Sequence, residues 1–180
     1  MMTGRVASFL LALVLASGAV AQETTETAVV TPITAVQGDR GPVTNLPMPR
    51  YVSLKANEAN VRRGPSLSHR IDWVFQRRDM PLRVVGEYGH WRRVVDREGM
   101  GGWVHYSLLS GNRTVIIDHD MLTIRQRPDD TAMEVAHLEL GVIADLGECD
   151  VDWCRLRAGG YRGWAEKTAL FGVAPGELRD

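Results

Sequence analysis

The sequence repeats itself, and this repeat constrains the fold more than any other feature. Three blocks recur in the same order: "ANVRRGP" (59–65) as "LTIRQRP" (122–128), "YGHWRRV" (88–94) as "DVDWCRL" (150–156), and "GGWVHYSLLSG" (101–111) as "RGWAEKTALFG" (162–172). The offsets between the copies are 61 to 63 residues. Since self-similarity at a fixed period marks a repeated structural unit, we predict two copies of one unit of about 60 residues.

Each copy has the pattern of short β-strands separated by turns. In the first copy, "PLRVVGEY" and "HWRRVVD" flank Gly89, and the strand "GGWVH" follows a glycine-rich turn. Helical spacing of apolar residues is missing except in "YSLLSG", which is typical of a single helical turn. About five short strands bury their faces most economically in a small closed or nearly closed barrel, so the predicted fold class is all-β.

The N-terminus has the pattern of a secretory signal. "MMTGRVASFLLALVLASGAVAQ" contains Arg5, then an apolar run, and then the small residues Ala19 and Ala21 that a signal peptidase reads. The run is short for a membrane-spanning helix, which needs about 20 apolar residues. We therefore predict a cleaved signal peptide over residues 1–21 and an exported chain without a stable membrane span.

Residues 22–50 are rich in Thr and Pro and lack aromatic residues and periodic apolar spacing. This composition predicts a flexible linker. The two repeats then occupy residues 51–111 and 112–175.

Three stretches of the repeats resemble the bacterial SH3-like (SH3b) domains of cell-envelope proteins. They are "NVRRGPS" at 60–66, the W-x-x-V pattern at 91–94 and "GWVHYSLLSG" at 102–111. The resemblance is closest to tandem SH3-like proteins of alphaproteobacteria. It implies two SH3-like β-barrels in a periplasmic or secreted bacterial protein that binds peptidoglycan or an envelope protein partner.

The second copy departs from this pattern. Gly64 is replaced by Arg127, and the pair His105 and Tyr106 is replaced by Glu166 and Lys167. A ligand inferred for the first copy is therefore not carried over to the second.

Cys149 and Cys154 are the two cysteines of the chain. The repeat register places them near Tyr88 and Arg92, on either side of a turn between adjacent strands, where a cross-strand disulfide is feasible. An oxidising compartment favours that disulfide, which would stabilise the fold by about 2 kcal/mol. A redox pair usually has two intervening residues, and a structural zinc needs four ligands. A periplasmic thiol redox protein stays as a remote alternative.

The tryptophans fall into two groups. Trp103 and Trp164 follow glycines, and we expect both to fill the cores of their barrels. Strand alternation places Trp91 and Arg93 on the face opposite Val94. That outward Trp either grips a sugar or peptide, or shields the edge of the barrel with Arg stacked on it. Trp73 has no aromatic counterpart in the second copy and is expected at an interface between the repeats.

Charge differs between the two copies. Residues 51–110 contain ten Lys or Arg and six Asp or Glu, a net charge of +4, while residues 111–180 contain eight and thirteen, a net charge of −5. Either the two barrels dock on each other, or the first presents a basic face to an anionic envelope polymer or acidic protein. The candidate basic face contains Arg62, Arg63, Arg77, Arg78, Arg92 and Arg93.

Catalytic motifs are not found in the sequence. It contains neither Gly-x-Ser-x-Gly nor His-Glu-x-x-His. The best cluster of potential metal ligands is residues 118–120, in the connector between the repeats. Adjacent side chains of a strand point to opposite faces, so these three residues would not converge on one ion. We expect a non-catalytic protein without cofactor or metal, and an exported protein is a poor candidate for binding nucleic acid. The candidate binding residues are Trp91, Arg93, Arg62, Arg63, Tyr88 and Trp73. An alternative function is a scaffold or regulator of an envelope enzyme.

Overall fold

The computed structural model describes residues 40–180, so the predicted signal peptide and most of the predicted linker lie outside the described residues. Seven strands form a first domain: β1 (Arg50–Leu54), β2 (Ala59–Arg62), β3 (Ile71–Phe75), β4 (Pro81–Tyr88), β5 (Trp91–Val95), β6 (Gly101–His105) and β7 (Leu109–Ser110). Seven more form a second domain: β8 (Thr114–Ile117), β9 (Leu122–Arg125), β10 (Glu134–Leu138), β11 (Ile143–Cys149), β12 (Trp153–Ala158), β13 (Tyr161–Glu166) and β14 (Leu170–Phe171).

The two domains have the same topology. The first is an antiparallel sheet in the order β3-β2-β6-β5-β4-β1-β7, and the second follows the order β10-β9-β13-β12-β11-β8-β14, in which every strand is the counterpart seven places later. One 3₁₀ turn precedes the last strand of each domain, at Tyr106–Leu108 and Lys167–Ala169. The predictions of an all-β fold and of a tandem repeat are confirmed.

Alternation of apolar and polar residues explains why these segments are strands. In β4, Leu82 and Val84 are fully buried and Arg83 between them is exposed. In β5 and β6, Val94 and Val104 are likewise fully buried, while their neighbours lie on the opposite face. Successive strand residues point to opposite faces, so one side of each sheet covers a core.

Each domain encloses its own hydrophobic core. The first core contains Leu54, Ala59, Val61, Phe75, Leu82, Val84, Val94 and Val104. The second contains Val115, Ile117, Ile124, Leu138, Ala144, Leu146, Leu156, Ala165, Leu170 and Val173, together with both cysteines. Two separate cores are what two small domains require.

Glycine is required at two positions that shape the first domain. Gly89, in the turn between β4 and β5, has a φ of 49°, a left-handed conformation that side chains disfavour. At Gly101 a Cβ atom would lie 1.9 Å from the carbonyl oxygen of Val94. The close contact between β5 and β6 therefore depends on the missing side chain.

The last part of the predicted linker is held against the first domain. The backbone N–H groups of Val43 and Thr44 donate to the carboxylate of Glu87 at 3.1 and 2.9 Å, and the Thr44 hydroxyl donates to it at 2.7 Å. Met48 packs against the first core. This order differs from the flexible chain expected up to residue 50, because a buried carboxylate needs donors and this segment supplies them.

The two domains contact each other through a few specific groups. The Thr114 hydroxyl donates to the carbonyl oxygen of Asp79 at 2.6 Å, and the rings of Tyr51 and Phe171 meet edge to face with centroids 5.5 Å apart. One ion pair joins the domains within residues 40–180, between Arg97 and Asp118 at 3.4 Å. A single ion pair between the domains therefore neutralises only a small part of their opposite net charges.

The cysteines form the predicted cross-strand disulfide. Cys149 in β11 lies directly opposite Cys154 in β12, with Cα atoms 4.1 Å apart. Both residues are buried in the second core. Within residues 40–180, none of the helices has the length and hydrophobicity of a membrane span.

Candidate binding site

The outward side of β4, β5, β6 and β2 carries a continuous row of functional side chains. Tyr88, Trp91 and His105 are directly opposite one another across β4, β5 and β6. Two residues further along the strands, Arg93 is opposite Trp103, which is in turn opposite Arg62. We call these residues the outer face of the first domain.

Four rings at one end of the outer face contact one another and form an aromatic cluster. The His105 centroid lies 5.5 Å from Trp91, 5.0 Å from Tyr106 and 6.0 Å from His90, and the His90 and Tyr106 centroids are 5.5 Å apart. The Trp91 and His105 rings meet at 85°, the edge-to-face geometry that aromatic pairs favour. The cluster is thus ordered by its own packing.

The aromatic cluster is open to solvent. Tyr106 is 49% exposed, and Tyr88, the cross-strand neighbour of Trp91, is 65% exposed. The His105 ring is held by the Ser107 hydroxyl, 2.7 Å from Nδ1. Exposed aromatic side chains that are already fixed lose little conformational entropy on binding, which suits them to recognition.

The two arginines of the outer face differ in freedom. Arg62 donates from one guanidinium nitrogen to the carbonyl oxygens of Leu67 and His69 at 3.0 and 2.7 Å, which ties it to the loop after β2. Arg93 is exposed, and its guanidinium has no hydrogen bond or ion pair with another side chain in residues 40–180. Arg93 is therefore the cation of this face that is available to a ligand.

Arg92 is not part of a basic face, contrary to the sequence-based expectation. It is 8% exposed and donates to the carbonyl oxygens of Gly89 and Trp91 at 2.9 Å. Its guanidinium lies 5.9 Å from the centre of the Tyr106 ring. Arg92 supports the aromatic cluster from below, because it fixes both the turn and one ring.

Glu87 supplies the charge that balances Arg92. Its buried carboxylate lies 3.6 Å from Arg92 Nε and 2.7 Å from Arg50. Burial by itself would raise the pKa of Glu87, but the hydrogen bonds from Thr44, Arg50 and Val43 outweigh it and lower the pKa to about 2. The carboxylate is therefore charged in the folded protein over the whole neutral range.

Two other candidates lie away from the outer face. Trp73 is half-buried, lies opposite the buried Val61 and packs against the first core. Arg63 is exposed and pairs with Asp72 at 3.3 Å, beside Arg70 at 2.8 Å. The hydrogen bond from Arg70 lowers the pKa of Asp72. The charge of Arg63 is therefore partly balanced by Asp72 within this local cluster.

Trp103 and Trp164 were expected in the cores, and this expectation is wrong. Each is half-buried and lies between two arginines on an outward surface: Trp103 between Arg62 and Arg93, and Trp164 between Arg125 and Arg155. Residue type favoured burial, but alternation with the buried Val104 points Trp103 outward. Alternation would also have placed His105 on the outer face.

The second domain replaces the aromatic cluster with charged groups. Glu166 lies opposite Trp153, at the position that His105 occupies opposite Trp91. Lys167, at the position of Tyr106, is buried, and its ammonium donates to the carbonyl oxygens of Asp150, Val151 and Glu177. Two of these contacts are at 2.9 and 2.7 Å, to Val151 and Glu177.

Metal ligands do not gather in the described part of the chain: no group of three or more His, Cys, Asp or Glu side chains there is arranged to hold an ion. The segment 118–120 follows β8, where Asp118 pairs with Arg97 and Asp120 accepts from the Leu140 N–H at 3.1 Å.

A family model matches both copies of the repeat. The family model described as "Bacterial SH3 domain" matches the chain twice, over residues 55–111 and 118–172. No curated protein matches the sequence. Among solved structures, those titled NlpC2 and NlpC1 from Trichomonas vaginalis are each 14% identical with TM-scores of 0.33, covering 68% and 73% of this chain.

The chain spans about half of each of those two proteins, 48% in both cases. One family match contains strands β2 to β7 and the other contains strands β9 to β14, and together they cover more than half of the chain. The chain therefore belongs to the bacterial SH3 domain family and carries two copies of that domain in tandem.

Proposed function

We propose that the protein is an exported, non-catalytic binding module whose outer face on the first domain binds peptidoglycan. The observation that carries the proposal is the ordered, exposed aromatic cluster beside Arg93, which forms no ion pair within residues 40–180. Aromatic rings pack against the apolar faces of sugars, and a free guanidinium pairs with the carboxylates that an envelope polymer carries. Bacterial SH3 domains commonly bind peptidoglycan or proteins, which supports the same function.

Export is proposed from two independent features. The first 21 residues have the pattern of a cleaved signal peptide. The disulfide between Cys149 and Cys154 suits an oxidising compartment. A periplasmic or secreted protein would have both the signal peptide and the disulfide.

A protein partner of the envelope is the second candidate ligand. Tyr88, Tyr106 and Trp91 together with Arg93 have the composition of a protein-binding hot spot, in which Tyr, Trp and Arg are enriched. In that case the protein would act as a scaffold or regulator of an envelope enzyme.

Retention on purified peptidoglycan sacculi tests the proposal. The wild-type protein should sediment with sacculi at low salt and more weakly at moderate salt, since Arg93 contributes a screened charge. Arg93→Ala should reduce retention several-fold, whereas Arg77→Ala, which removes an exposed arginine outside this face, should not. Absence of wild-type retention at both salt concentrations would refute peptidoglycan as the ligand and favour the protein partner.

A further inference from the structure

Two grooves of the second domain meet at Trp153. The larger encloses about 730 Å³ and extends to Tyr51 and Arg83 of the first domain. The smaller encloses about 320 Å³ and runs along the start of β9. Trp153, Asp130 and Glu166 line both grooves, so Trp153 is the common wall of a single cleft. We call it the Trp153 cleft.

The indole of Trp153 is flanked by carboxylates. Glu166 is its direct cross-strand neighbour, which places the two Cβ atoms about 5 Å apart. Asp130 lines both grooves, and Asp152 lines the larger one. All three acidic residues are exposed, while Trp153 is half-buried.

The cations of the second domain do not neutralise these carboxylates. The ammonium of Lys167 is buried against three backbone carbonyl oxygens, and Arg125 pairs with Glu134 at 3.4 Å. Within residues 40–180, the carboxylates of Asp130, Asp152 and Glu166 form no ion pair. The Trp153 cleft thus combines an aromatic wall with unpaired negative charge.

We propose that the Trp153 cleft binds an organic ammonium group of the kind that a lysine side chain carries in a peptide. A cation is attracted to the face of an indole, and adjoining carboxylates accept its N–H groups in charge-assisted hydrogen bonds. At the far end of the larger groove, Arg83 is exposed and has no ion pair in the described residues, so it is available to a carboxylate of the same peptide. This site is separate from the outer face of the first domain and takes a ligand group of opposite charge.

The probe is the tripeptide N-acetyl-Gly-Lys-Gly with a free C-terminal carboxylate, titrated into ¹⁵N-labelled protein expressed from the full chain. The indole N–H signal of Trp153, identified by its loss in Trp153→Phe, should shift and saturate. Glu166→Gln should weaken the apparent affinity roughly three- to ten-fold, since one screened charge contact is removed. Glu98→Gln, which removes an exposed carboxylate of the first domain, should leave the affinity unchanged.

Three chemical controls separate the contributions of the ammonium, the C-terminal carboxylate and the peptide backbone. The norleucine peptide, in which hydrogen replaces the ammonium group, should leave the Trp153 signal unshifted. The C-terminally amidated lysine peptide should bind more weakly in the wild type but not in Arg83→Gln. Free lysine, which offers the ammonium without the peptide, should bind more weakly than the tripeptide.

A norleucine peptide that shifts Trp153 as strongly as the lysine peptide would overturn the proposal, as would a Trp153 signal that no lysine compound moves. Trp91→Ala should bind the tripeptide like the wild type. Loss of sacculus retention and loss of tripeptide binding are therefore separate results, and failure of one proposal leaves the other standing.

Discussion

Glu87 and Arg92 occupy, in the first domain, the cross-strand positions that the disulfide of Cys149 and Cys154 occupies in the second. Glu87 is directly opposite Arg92 across β4 and β5, as Cys149 is opposite Cys154 across β11 and β12. The buried ion pair is 3.6 Å long. The same hairpin is thus closed by charge in one copy and by a covalent bond in the other.

Each of these two cross-strand pairs also contains a residue that hydrogen-bonds to a chain segment outside its sheet. Glu87 accepts from the backbone of Val43 and Thr44, before the first strand. Cys149 exchanges two backbone hydrogen bonds with Arg179, after the last strand, at 2.7 and 3.0 Å. In both domains the end of this hairpin anchors the adjoining chain.

Acid should selectively weaken the buried ion pair between Glu87 and Arg92 in the first domain. The pKa of Glu87 is lowered from 4.5 to about 2 on folding, so its contribution to stability is fully present above about pH 4.5 and is lost as the pH falls to about 2. That contribution is on the order of 3 kcal/mol. The free energies of unfolding of the wild type and Glu87→Gln should therefore differ most above pH 5 and converge toward pH 2, as measured by denaturant titration.

Glu98→Gln is the matched control for this pH dependence. Glu98 is exposed and its ion pair with Arg97 lies at the surface, so this variant should differ from the wild type far less than Glu87→Gln does. A constant difference between the wild type and Glu87→Gln from pH 2 to 6 would show that the carboxylate of Glu87 is not stabilised in its charged form.

Removal of the disulfide should destabilise the second domain. The double variant Cys149→Ala, Cys154→Ala should unfold with about 2 kcal/mol less free energy, because the cross-link no longer restricts the unfolded chain. Both cysteines are buried, so a free-thiol count in the native wild type under mild reductant should stay near zero and rise only with unfolding. Ready reduction of the native protein would instead favour the thiol redox alternative.

The buried Lys167 should be important for the C-terminal anchor. Lys167→Met keeps the size of the side chain but leaves the carbonyl oxygens of Asp150, Val151 and Glu177 without their donor. We expect a loss of about 2 kcal/mol and faster amide hydrogen exchange at Cys149 and Arg179. Lys55→Met, at an exposed lysine, is the control. Unchanged exchange at Arg179 in Lys167→Met would refute the role of Lys167 as an anchor.

The repeat and the strand pattern predicted most of the fold. Alternating apolar residues such as Leu82 and Val84 reproduce the inward face of β4, and the recurrence of the same pattern 61 to 63 residues later predicted a second copy with the same topology. The outward positions of Trp91 and Arg93 follow from the same alternation. The disulfide followed from spacing and compartment.

The buried charges were not predictable in the same way. Arg92 belongs by residue type to the surface, and its burial depends on Glu87, whose own burial depends on donors from Thr44, 43 residues earlier in the chain. Lys167 likewise needs carbonyl groups from two distant segments. Contacts of this kind are set by tertiary structure, which local patterns do not report.

We propose that the first domain, and not the second, binds the cell wall through its outer face. Trp91 and Trp153 are equivalent residues of the two repeats, so sacculus retention of Trp91→Ala and Trp153→Ala, side by side with the wild type, is the most direct test. We predict that Trp91→Ala loses retention while keeping its thermal stability, and that Trp153→Ala is retained like the wild type. Equal retention of Trp91→Ala and the wild type would show that the outer face of the first domain is not the wall-binding site.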